Sequence, residues 1–119
     1  MNSSILQHAG IDYQAGMERF MNDGELYEAV LNAFVSDNAL ERAQKAYQSG
    51  NTDALLQVIH EAKGSGGNAG LTELYAEASA LLKLLRGGDY SQEELTMRFE
   101  RFEAVYTKMR DGINAALNG

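Results

Sequence analysis

His60, Lys63 and the glycines around them are the residues of this chain best equipped for chemistry. An imidazole can serve as nucleophile, proton carrier or metal ligand. On a helical wheel at ~100° per residue, Leu55, Val58, Ile59 and Ala62 form one apolar stripe, and His60 points roughly opposite. Lys63, Gly64 and Gly67 fall beside it, because residues three, four and seven apart share a face. Leu56 and Gln57 lie one turn before it. The spacing therefore predicts a solvent-facing histidine next to one cation, between a greasy spot and a strip of bare backbone.

Each glycine inside a helix costs ~1 kcal/mol relative to alanine. Three of them at 64, 66 and 67 would cost roughly 3 kcal/mol, against a domain stability of ~5–15 kcal/mol. One reading is that they end the helix in a loop. Another is that Gly66, inward with Ala62 and Ala69, admits a neighbouring helix. The second does not cover Gly64 and Gly67, which face outward. Access does: without side chains there, another protein's active site can reach the imidazole. Other sites fit worse. A Walker loop places its lysine after the glycines, whereas Lys63 precedes them, and no strand precedes the run as a dinucleotide fold requires. A metal site in a bundle wants paired Glu-x-x-His motifs, but Gln57 stands at that spacing, and His8, read as exposed in a flexible lead-in, has no second ligand near it.

The elements that must carry these residues are helical. Proline is absent from all 119 residues, which favours long uninterrupted helices. Asp12 is placed to cap a short helix bearing Ala15, Met17 and Phe20, and Asn22-Asp23-Gly24 reads as a turn. From Glu25 one long pattern runs through Leu26, Val30, Ala33, Phe34, Leu40, Ala43 and Tyr47, with some drift. Gly50 suits a C-terminal cap and Asn51 caps the histidine helix. A further stripe from Leu71 holds Leu74, Tyr75, Ala78, Leu81, Leu82 and Leu85, closed by Gly87-Gly88. Ser91 with Glu94 forms a capping box before a last helix striped by Leu95, Phe99, Phe102, Tyr106, Met109, Ile113 and Ala116. Short connections make neighbours antiparallel. The expected fold is all-α: one domain over 1–119, an up-and-down antiparallel four-helix bundle with a short additional N-terminal helix.

The totals limit the partners. A net charge of -7 disfavours nucleic acid and anionic membranes, which need clustered Lys and Arg. No apolar run approaches the ~20 residues that span a bilayer, and the start, Met1-Asn2-Ser3-Ser4, lacks the features of a signal peptide. There are no cysteines. A cytoplasmic protein, a monomer, is the expectation.

The run His60-Glu61-Ala62-Lys63-Gly64-Ser65-Gly66-Gly67-Asn68-Ala69-Gly70 closely resembles the signature of histidine-containing phosphotransfer domains of two-component phosphorelays, roughly His-x-x-Lys-Gly-Ser-x-x-x-x-Gly. Gly10-Ile11-Asp12, Asp23-Gly24-Glu25-Leu26-Tyr27 leading to Phe34, Gly50-Asn51 and Arg86-Gly87-Gly88-Asp89 are also similar to that family, so the resemblance spans nearly the whole chain. It departs at Ala62 and Ala69, where leucine is common, at the small pair Gly66-Gly67, and at Leu82, where many members have glutamate.

The resemblance implies that His60 accepts a phosphoryl group and passes it on, as a phosphocarrier and not an enzyme in its own right. Imidazole suits that exchange: its neutral form is a nucleophile, and the N–P bond it makes stays labile. Phosphoryl transfer has a loose transition state with charge on the outer oxygens, so positioning and electrostatics dominate. Lys63 is the local cation for that charge. Gln57 is placed to hydrogen-bond ring or phosphate, Ser65 lies on the flank, and Leu56 is expected to contribute to docking with apolar residues of the first two helices. The chain supplies no nucleotide loop and no acidic magnesium cluster, so no cofactor of its own is expected. By the resemblance, the receiver domain of a response regulator or hybrid kinase brings the magnesium and the aspartate, and a sensor or hybrid histidine kinase stands upstream. The competing expectation is a helical adaptor that binds receivers or kinases without being phosphorylated.

Overall fold

Inward-facing apolar stripes and local capping groups divide the chain into seven helices in a computed structural model that describes all 119 residues. These are α1 (Ser3–His8), α2 (Tyr13–Arg19), α3 (Gly24–Ser36), α4 (Ala39–Gln48), α5 (Thr52–Ala69), α6 (Thr72–Gly87) and α7 (Gln92–Asn118). There is no strand. Helix α5 packs between α4 and α6, with α2 and α3 against it as well; α7 packs on α6, α3 and α1. The long dimension of 42 Å is about the length of α7 at 1.5 Å per residue. Twenty-six residues, apolar apart from the hydroxyls of Tyr27 and Tyr106, make one continuous core, and no charged side chain is buried. No helix is long and apolar enough to cross a membrane.

Several starts are fixed as the residue types require. Asp12 Oδ1 accepts the Ala15 N–H at 3.0 Å, Asn51 Oδ1 that of Ala54 at 3.1 Å, and Ser91 Oγ that of Glu94 at 3.1 Å. Each satisfies an orphan donor of a first helical turn.

Several features differ from the sequence expectation or decide between readings it left open. The lead-in with His8 is a helix: Asn2 caps α1 by accepting from the N–H groups of Ser4 and Ile5, Leu6 is buried, and His8 Nδ1 lies 2.7 Å from the Ser4 carbonyl oxygen. There are thus two short N-terminal helices instead of one.

The long pattern from Glu25 is two helices, broken where Asp37 is extended (φ -72, ψ 146). Ser, Asp and Asn bond locally to backbone and weaken helix interiors, and Ser36-Asp37-Asn38 is such a run. The buried stripe of α3 is also rotated. Tyr27, Leu31 and Phe34 face the core, while Leu26 is 45% exposed and Ala33 is exposed. Tyr27 wins the inward position because its ring is fully buried and its hydroxyl reaches a backbone acceptor: Oη donates to the Ala69 carbonyl at 2.6 Å.

The glycine run is helical, not a loop. Helix α5 continues through 64–69 and stops at Gly70, which takes the left-handed conformation (φ 78) that favours glycine. The Leu71 N–H then closes on the Gly66 carbonyl at 2.8 Å. Tyr75, expected in the α6 stripe, is 45% exposed, whereas Leu71, Leu74 and Ala78 are fully buried.

Candidate functional site

Leu55, Val58, Ile59, Ala62, Gly66 and Ala69 bury one face of α5. His60 is thereby forced outward and is exposed. Gly64, one turn on, is exposed too, and a Cβ built there meets nothing within 4 Å. Gln57 and Ser65 are exposed, Lys63 and Gly67 half-buried. Leu56 is half-buried and packs against the core, so only its outer part is available to a partner.

The two flanks of this ridge differ. On the α4 side, Arg42 binds Glu61, the residue after His60, at 3.0 Å. Arg42 also contacts Asp37 at 3.5 Å, and its Nε donates to Asn38 Oδ1 at 2.7 Å. The hydrogen bond to Glu61 leads the causes that hold the guanidinium above its ordinary pKa; the charges of Glu61 and Asp37 add to it against some desolvation. Arg42 thus neutralises the carboxylate nearest in sequence to His60.

On the α6 side, the Lys63 ammonium lies over the Tyr75 ring, 5.4 Å from its centroid. None of the molecule's ion pairs uses Lys63. Gly67 differs from Gly64 in this respect. A Cβ on Gly67 would stand 3.1 Å from Tyr75 Cδ2, so this glycine accommodates the tyrosine ring and is not bare backbone in the sense that Gly64 is.

Ser65 and Asn68 edge a groove walled by Phe20, Val30 and Phe34 of the N-terminal half, and Arg19 reaches Asn68 Oδ1 at 3.4 Å. Of the residues singled out in sequence, His60, Lys63, Gly64, Gln57 and Leu56 share one exposed side of α5, while Ser65 opens towards the α2–α3 groove. Leu82 is buried in the core and has no part in the site. Arg42 and Tyr75 were not legible in the sequence, since each meets the site from another helix. The one hint to Tyr75 was a glycine at 67 with no packing reason of its own.

No group of three or more His, Asp or Glu side chains is gathered to hold a metal. The ridge offers a nucleophilic ring, one uncompensated cation and an unobstructed approach. Comparison with protein-family models, with curated proteins and with solved structures finds no match to this chain.

Proposed function

We propose that this chain is a histidine phosphotransfer protein of a two-component phosphorelay, working in the cytoplasm. It takes a phosphoryl group from a receiver-domain aspartate, or from a kinase, and hands it to a response regulator. In this reading α3 with α4 forms one arm of an up-and-down antiparallel four-helix bundle completed by α5, α6 and α7, with α1 and α2 leading in. The unprotonated nitrogen of the His60 ring attacks the phosphorus of the aspartyl phosphate. An N–P bond forms, the P–O bond to the aspartate breaks, and the carboxylate leaves with the electron pair. The other ring nitrogen keeps its proton, so no general base is needed.

The chain's own residues contribute the nucleophile, the Lys63 ammonium for the equatorial oxygens, and a surface that a receiver can approach. The partner contributes the aspartate and its magnesium. Paired with Arg42, Glu61 does not oppose an incoming anion. The observation that carries the reading is Gly64. It spends helix stability at a place where no atom of the protein needs the room, one turn from an exposed histidine within the phosphotransfer-like motif.

Incubation with a labelled phosphorylated receiver domain should put acid-labile phosphate on the native protein and none on His60→Gln, with the circular-dichroism melt unchanged. Label on His60→Gln, or on neither protein, would defeat the proposal.

A further inference from the structure

A free lysine spreads over many rotamers, so a lysine that must meet a phosphoryl group at one moment gains from being held in place beforehand. Lys63 is held by a ring. Tyr75 is 45% exposed on a helix whose neighbouring Leu71, Leu74 and Ala78 are fully buried, so its ring is not part of the core. One edge rests on α5 at Gly67, where an added Cβ would sit 3.1 Å from Cδ2. The ammonium of Lys63, one helical turn before Gly67, lies over the same ring at 5.4 Å from the centroid. Backbone, ring and ammonium are thus stacked on the flank of the histidine ridge.

We infer that Tyr75 is a positioning residue for phosphoryl transfer at His60, its ring holding the Lys63 ammonium beside the ridge. The inference rests on the phosphocarrier reading. A cation over a ring face keeps its remaining N–H groups free, so Lys63 can donate to phosphoryl oxygens from that seat without first being ordered. The ring adds no charge of its own, and the tyrosine hydroxyl is not required for the stack. Gly67 makes the arrangement possible, since a side chain there would push the ring outwards.

The test is a double-mutant cycle on transfer from a phosphorylated receiver domain. Tyr75→Leu should slow phosphorylation of His60 about two- to fivefold, the scale of an exposed cation–π contact. Tyr75→Phe should transfer like the native protein. In a Lys63→Gln background, Tyr75→Leu should change nothing further. A Tyr75→Leu protein as fast as native, or slowed equally with and without Lys63, overturns the inference while leaving the carrier reading intact. Native protein that takes no label at His60 removes both. A second measurement needs no phosphoryl group: the Lys63 ε-methylene protons should show an upfield ring-current shift in native protein and Tyr75→Phe that disappears in Tyr75→Leu. Absence of that shift from native protein also overturns it.

Discussion

Gly64 and Gly70 lie six positions apart and are glycines for opposite reasons. Around Gly70 everything is filled. Its φ of 78 is left-handed, a Cβ would collide with the Asp12 carbonyl oxygen, and its own carbonyl accepts the Asp12 N–H at 2.9 Å. Beside it, Tyr27 lies so close to Gly16 that a Cβ there would stand 2.5 Å from the phenol carbon and oxygen. Around Gly64 nothing is filled. The first region shows glycine used for close approach within the molecule. The second shows a glycine with open space around it, which no packing or backbone requirement of the molecule explains.

The largest effect should come from closing the filled region. Gly70→Ala must bear both a left-handed residue, ~1–2 kcal/mol, and overpacking, ~1–3 kcal/mol. A loss of about 2–5 kcal/mol by urea denaturation is expected. Gly16→Ala should lose roughly 1–3 kcal/mol by overpacking alone, and much less when Tyr27 is replaced by leucine, because the obstructing ring atoms are then gone. If Gly70→Ala melts like native protein, the contrast between the two regions is mistaken.

The histidine face was legible because residues three and four apart on one helix obey fixed geometry, and the apolar stripe of α5 has no competing register. The starts of α2, α5 and α7 were legible because Asp12, Asn51 and Ser91 act on N–H groups within their own first turn. The break between α3 and α4 had a local mark only in Ser36-Asp37-Asn38, which the apolar pattern on either side outweighed. No glycine or proline marks it, and apolar residues continue across it with only a shift of phase, Phe34 being followed inward by Ala39 and Leu40. The rotation of α3 was hidden for another reason. It depends on Tyr27 finding the Ala69 carbonyl at the far end of α5, a tertiary contact that outweighs the local stripe. Arg42 and Tyr75 are likewise tertiary neighbours of the ridge, and spacing along one helix carries no information about them.

A middle-sized effect should appear in alkali. Burial raises the Tyr27 phenol to about 12, with the negative charges of Tyr13 and Asp12 adding to it; burial likewise raises Tyr106 to about 12, with Asp37 the next cause. Both are neutral in the fold, and in the unfolded chain a tyrosine ionises near ~10. The folded pKa is the higher one, so this stabilisation is complete below pH ~10 and is lost as pH rises towards about 12. The urea midpoint should fall steeply across that window. Tyr27→Phe should lower stability by ~0.5–1.5 kcal/mol at pH 7 through the missing hydrogen bond to Ala69, yet show a shallower alkaline decline. Equal slopes for both proteins would mean that the buried phenol does not govern the decline.

The smallest effect has the opposite sign and sharpens the comparison most. Gly64→Ala places a methyl group in open space on a helix that otherwise gains from losing a glycine. It should raise stability by about 0.5–1 kcal/mol. On a 119-residue chain that is a rise in melting temperature of a few degrees. The same methyl group stands one turn from His60, and under the proposed phosphocarrier function it would meet an approaching receiver, so transfer should slow as the protein grows more stable. Larger side chains at 64 should slow it further, with little change in the melt. A Gly64→Ala protein that is both more stable and as quick to accept phosphate would leave the exposed glycine without a function, and the unobstructed ridge would then be an accident of composition.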